Sequence, residues 1–469
     1  MLPYFPKQFT SKAIGTYFAS LLIVSVVFMS HMMQFKFMAI GIVAVTAFFY
    51  FANVVSKKMI NSTGHYFTRY AFATAFGVRL AWVIFSYFFY QANTGTPFEF
   101  NAGDAIMYHE EASGFAYSGS WSVSRLKSYF SYMAPSDSGY LYYLATLYSI
   151  FGNSIIFARI VKCVFSAWTC VLVYKLARRN FGEDAGRLAG IFCIFMPNFI
   201  YYCGMHLKET EMVFLIMLYL ERADYLLKTK NYKFSTLLVP ILAAVSLFFF
   251  RTVLGTVCFL ALFTAVVFSS SKVVGWGKKI LIGLWVVLAA GYFVGEAVMS
   301  EVEEVWEGRD TNQEARRSAQ VNRGVDWAKY ATGTVMAPMA FVIPFSTMVD
   351  VDYQYNQQTM HGGLFVKNMI SVFVILAFIY IFLIKKNWRK FALLEAFTIG
   401  YLIVIAFSAF ANSERFHLPA LPCELMFAAY GVTLVDEKNI KYVNKWPYAV
   451  IIMEFAWAFF KLGSRGIGF

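Results

Sequence analysis

Apolar runs of roughly 17 to 25 residues, each the length of a bilayer-crossing helix, recur along nearly the whole chain. They lie at 14–30, 37–55, 70–90, 153–177, 187–204, 209–227, 234–250, 252–270, 279–298, 364–384, 391–411, 417–435 and 446–462. About thirteen spans of about 20 residues absorb roughly 260 positions. That is close to the whole hydrophobic content of a 469-residue chain that is 59% hydrophobic and 14% charged. The reading is an all-α, polytopic membrane protein. It excludes a globular enzyme of cytosol or secretion, a disordered chain, and an outer-membrane barrel, whose strands alternate apolar and polar residues.

Two long stretches interrupt the runs and divide the chain. The expected units are N-terminal spans at 1–90, a first long loop at 91–152, central spans at 153–298, a second long loop at 299–363 and C-terminal spans at 364–469. The first loop carries too many aromatics for a solvated linker, among them Phe98, Phe100, Tyr108, Phe115, Trp121, Tyr129 and Tyr140. Short helices lying in the membrane interface are expected there. The segment Met336 to Met348, with Pro338 and Pro344, is too short and too broken for a span and reads as re-entrant or interfacial.

The net charge of +13 would suggest nucleic acid in a soluble protein. Here the basic residues sit in short connections, where they orient a membrane chain instead. Assigning alternate loops to opposite sides puts most of them on one face: Lys7 and Lys12, Lys57 and Lys58, Lys175 to Arg179, Lys385 to Lys390, and Lys438 to Lys445. The positive-inside rule makes that face and the N-terminus cytoplasmic, with both long loops outside. The first run has no small-residue cleavage site after it and reads as a retained span rather than a signal peptide. The six cysteines, with no CxxC pair, read as small core residues.

Charges at membrane depth are costly and usually serve a purpose. Most polar residues that orientation leaves unexplained map to the outer face. In 103–112, Asp104 and Tyr108 lie one helical turn apart, beside His109 and Glu110. Asp104 there is either a helix cap or, beside a substrate hydroxyl, a general base or a ligand for a divalent cation. At 203–211, His206, Lys208 and Glu209 open an apolar helix. The pair caps and anchors the helix, or Lys208 holds a lipid phosphate while Glu209 orients a hydroxyl. Arg251, between two apolar runs, is a snorkelling anchor or an anion ligand. Arg415, followed by His417 and two prolines, either pairs with Glu414 or binds phosphate. No Walker loop, HExxH, GxSxG or CxxC motif occurs.

Taken in order, Tyr140–Ser154, Ala158-Arg159, Val173–Gly182, Pro197–Gly204 and Leu207-Lys208-Glu209 resemble the GT-C superfamily. These are integral-membrane glycosyltransferases, including protein mannosyltransferases and the aminoarabinose transferases acting on lipid A. Asp104 matches the acid in their first long outer loop, and Arg415–Pro419 is similar to their late arginine and proline pattern. The resemblance spans roughly 100–435 and implies a GT-C-like fold. It further implies a polyprenyl-phosphate or diphosphate sugar donor and inverting transfer to a hydroxyl of a glycan, lipid or protein acceptor at the outer face.

By carry-over Asp104 is the expected catalytic residue, as general base or by positioning the acceptor, and Lys208, Arg251 and Arg415 are the donor-phosphate ligands. Tyr108, His109, Glu110, His206, Glu209 and His417 are supporting residues. No cofactor is assigned, and use of a divalent cation is left open. A bacterial plasma membrane, with the site on its periplasmic face and no nucleic-acid partner, is the expected setting. Two departures stand out: an additional span precedes the Asp104 loop, and Ala134-Pro135-Ser136-Asp137 replaces a His-Pro-Pro type turn. The competing functions are a polysaccharide polymerase or ligase using lipid-diphosphate glycans and a non-enzymatic flippase or transporter of lipid-linked sugars. A transporter would be expected to show an internal repeat, and none is visible in the sequence.

Overall fold

A computed structural model describes residues 3–229, 234–268, 339–408 and 411–463. The predicted span 279–298 and residues 299–338 of the second loop lie outside the described residues. Among the described residues every regular element is a helix, and an isolated antiparallel bridge joins Met32 and Val349.

Among the described residues five helices are long and apolar enough to cross a membrane: Lys7–Val27 (α1), Phe35–Met59 (α2), Gly64–Thr94 (α3), Ile155–Phe181 and the continuous Tyr355–Ile384. The first loop folds as three short helices, Gly103–Tyr117 (α4), Val123–Tyr129 (α5) and Pro135–Phe151 (α6). Then come Ile155–Phe181 (α7), Glu183–Phe195 (α8), Pro197–Cys203 (α9), Glu209–Thr229 (α10), Phe234–Phe250 (α11) and Thr252–Phe268 (α12). The C-terminal part holds Tyr355–Phe378 (α13), Ala392–Phe407 (α14), the single turn Glu414–His417 (α15), Leu421–Thr433 (α16) and Ile440–Gly463 (α17).

Local chemistry sets several boundaries. The Thr63 and Ser154 side chains accept from Tyr66 N and Phe157 N, capping α3 and α7. Gly95, at φ 78°, ends α3 in the left-handed region that favours glycine. Pro197 splits the run 187–204 into α8 and α9. A proline at 197 has no N–H for the carbonyl of Cys193 four residues back. Arg79 of α3, wholly buried, takes over that carbonyl at 3.0 Å and the carbonyl of Ile194 at 3.1 Å. Its remaining donors reach Ala75 O at 3.2 Å on α3 itself, and Ser166 Oγ at 2.6 Å and Cys170 Sγ at 3.4 Å on α7. One charge deep in the bundle thus satisfies the backbone where a helix breaks.

α7 packs on α3, α8 and α10, while α13 packs on α2 and α16. Aromatic rings fill the core: Phe5, Phe9, Phe49, Phe192 and Phe373 meet edge-on or stacked at 4.8 to 6.3 Å. α13 starts at Tyr355, well before the expected 364, because its polar opening turns are buried against other helices. Residues 342–349 are buried and form no helix. They hold Ser346 against Glu454 of α17 at 2.7 Å.

Candidate active site

The four polar segments singled out in the sequence meet where α4, α10, α15 and the break between α11 and α12 converge. Asp104 lies in the first turn of α4, where a carboxylate is favoured by the free N–H groups of the helix start. Glu209 is the first residue of α10, Arg251 is the single non-helical residue between α11 and α12, and Arg415 sits on α15.

Arg415 joins them. Its Nη1 donates to Asp104 Oδ2 at 2.6 Å, and its Nε donates to Glu209 Oε1. The two carboxylates differ sharply in setting: the Asp104 side chain is 57% exposed and that of Glu209 is 0% exposed. Arg251 Nη2 lies 3.8 Å from the same Glu209 oxygen, and its guanidinium stacks on the Phe416 ring at 4.4 Å. The Nη1 of Arg251 is buried with no hydrogen-bond partner, and so is Glu209 Oε2. Arg251 therefore has a donor to spare toward an anion.

Lys208 points to the neighbouring acid, donating to Asp137 Oδ1 and, at 3.0 Å, to Ser136 O. Tyr108 Oη donates to the same Asp137 oxygen at 3.2 Å. Burial opposes ionisation of Asp137, but the Lys208 ammonium and the two hydrogen bonds outweigh it and hold the carboxyl below its ordinary range. Burial and then Asp137 push the Tyr108 hydroxyl well up, so it stays a donor.

The remaining predicted residues go elsewhere. His109 Nδ1 and His206 Nε2 share one hydroxyl, Tyr148 Oη, at 2.8 and 3.1 Å. Burial and the nearby Arg159 charge lower the pKa of both imidazoles, with Lys162 adding to the effect on His206. Arg159, buried, donates to Pro97 O at 2.8 Å, so it belongs to this second polar pocket rather than beside Arg415. Glu110 is exposed on α4. His417 is buried and turned inward, with Nε2 2.8 Å from Ala411 O. Among the described residues no group of three or more His, Cys, Asp or Glu side chains converges to hold a metal ion. Glu209 and Asp137 each face a cation instead.

Sequence reasoning missed Asp137 as the partner of Lys208. The available signal was an acid standing just after Pro135 in an otherwise aromatic run. Gly139, two residues further on, is also demanded by geometry: a Cβ there would lie 2.7 Å from the Phe249 carbonyl, two residues before Arg251.

Three cations, Lys208, Arg251 and Arg415, thus face three carboxylates, and only Asp104 is largely exposed. Such a set can take a phosphate on its cationic side and a hydroxyl on its exposed acid. No curated protein matches the chain. Lys208, Glu209 and Arg251 lie within the matched family segment, whereas Asp104 and Arg415 lie outside it. Over residues 139–295 the chain matches the family described as dolichyl-phosphate-mannose-protein mannosyltransferase, a GT-C type family, so the resemblance read from the sequence holds over that segment.

Proposed function

We propose that this protein is a membrane glycosyltransferase that moves a sugar from a polyprenyl-phosphate or diphosphate donor to an acceptor hydroxyl at the outer face, with inversion. The observation that carries the reading is Arg415, held between a buried carboxylate and an exposed one. Glu209 anchors the guanidinium, while Asp104 is its replaceable partner. A donor phosphate drawn to Arg415 and Arg251 competes with Asp104 for Nη1 and so frees the acid at the moment the sugar arrives. Asp104 then accepts the acceptor's hydroxyl proton as its oxygen bonds to the anomeric carbon. The bond from that carbon to the phosphate oxygen breaks, and the electron pair leaves with the polyprenyl phosphate. Arg415 and Arg251 stabilise the charge that develops there, the kind of contribution worth about 2.7–4 kcal/mol per donor in other active sites.

The thirteen-span topology with a cytoplasmic N-terminus, the five-part division of the chain, and a bacterial plasma-membrane setting belong to the same reading. The orientation rests on the alternation of basic loops, and the span count and division rest on the apolar runs and the two long stretches between them. The test is sugar release or transfer from labelled polyprenyl-phosphate and polyprenyl-diphosphate sugars, using purified protein in nanodiscs. Turnover that falls by about 10² or more in Asp104→Asn and in Arg415→Ala supports the proposal. Donor lipids that bind but never turn over, even with membrane acceptors present, refute it in favour of a carrier.

A further inference from the structure

Lys367 stands in the middle of α13, 3% exposed, at a depth where an ammonium is expensive. It touches none of the proposed substrate-binding residues. Its Nζ donates to Ile343 O at 2.7 Å and lies 3.5 Å from both Glu424 Oε2 and His417 Nδ1. The other nitrogen of His417 faces Ala411 O at 2.8 Å. A carbonyl can only accept, so that geometry assigns the imidazole hydrogen to Nε2 and leaves a bare lone pair on Nδ1, the atom turned to the ammonium. Ala411 lies four residues before Arg415 and His417 two residues after it. The His417 ring therefore closes the turn that carries Arg415, and Lys367 fixes the ring. From α14, Tyr401 Oη donates to Phe416 O at 2.9 Å and holds the same turn from another side.

A buried ion pair such as Lys367 with Glu424 adds little stability over apolar residues of the same size. Stability therefore does not account for a charge here, whereas the orientation of the turn does. Building on the glycosyltransferase reading, we propose that Lys367 is a positioning residue that sets the Arg415 guanidinium through the tautomer and placement of His417.

The experiment uses full-length protein in nanodiscs and the double variant Lys367→Met/Glu424→Gln, which removes both charges so that neither is left orphaned. Three readouts are taken: thermal midpoint, amide hydrogen exchange of residues 411–418, and transfer from a polyprenyl-phosphate sugar. The expected result is a midpoint near that of wild type, faster exchange confined to 411–418, and a turnover number lowered at least tenfold. In an Arg415→Ala background the same double change should lower the rate less than twofold, because both act through one side chain. Unchanged exchange at 411–418 overturns the proposal. So does a loss that multiplies fully onto that of Arg415→Ala. If Arg415→Ala itself leaves transfer intact, the glycosyltransferase roles fail, while the exchange measurement still decides whether Lys367 holds the turn.

Discussion

Replacing Arg415 with alanine should injure the protein in two separable ways. The ion pair with Glu209 has one fully buried member, so truncation strands a carboxylate that is 0% exposed. Breaking a buried pair in this way costs about 3–5 kcal/mol. Arg251, still 3.8 Å from the same oxygen, places the expectation at the lower end. The bond to Asp104 adds little, because that carboxylate is 57% exposed and exposed pairs contribute about 0.2–1 kcal/mol. The activity loss has a different origin: losing one donor to a developing anion lowers turnover by about 10²–10³. Adding Glu209→Gln to Arg415→Ala removes the stranded charge and should restore most of the stability while leaving turnover low. Thermal unfolding in detergent and single-turnover transfer in nanodiscs measure the two effects. If Glu209→Gln gives back no stability, the buried carboxylate is not what truncation strands. If Arg415→Ala turns over within a few-fold of wild type, its phosphate role is wrong.

Three further outcomes follow from the same geometry. Asp104→Asn should lower transfer by about 10²–10⁴, as loss of a general base does, with almost no change in thermal midpoint because the side chain is exposed; comparable losses of both would point to a structural acid. Asp137 has its folded pKa depressed, so its stabilising contribution is present above the unfolded value of about 3.9 and fades as pH falls below it. The midpoint difference between wild type and Asp137→Asn should accordingly be full at pH 6 and close toward pH 3, and a constant difference would contradict it. Gly139→Ala should destabilise by about 1–3 kcal/mol through overpacking and lower transfer, since its Cβ meets the Phe249 carbonyl at 2.7 Å and pushes on the segment leading to Arg251; a neutral effect on both would show that α11 can shift freely.

Much of this was legible in the sequence, for reasons that differ by residue. Hydropathy located α1 to α3, α7 and the later helices because burial in lipid selects composition directly, and the aromatics of 91–152 announced α4 to α6. Asp104, Glu209, Arg251 and Arg415 stood out because charge near a bilayer is rare. Their convergence was not legible, since Asp104 and Arg415 are 311 residues apart and no local pattern encodes such a contact. His417 shared a segment with Arg415, yet only tertiary packing reveals that it turns inward to Lys367. The break at Pro197 could have been read from the proline itself. The early start of α13 could not, because its Gln, Thr and His residues are buried by neighbouring helices rather than by lipid.

The partners of Arg79 bear on how the chain enters the membrane during synthesis. α3 emerges from the ribosome long before Ser166, Cys170, Cys193 and Ile194 exist to receive its guanidinium. Until then the charge has only the Ala75 carbonyl of its own helix to donate to, and a charge at mid-helix costs about 2.5–3.5 kcal/mol during insertion. The apolar remainder of α3 must carry it across unaided, and α7 and α8 then capture it. Nascent chains arrested before residue 193 should therefore hold α3 less firmly than chains that have passed it, so assembly order is inscribed in one arginine and one proline that lie 118 positions apart.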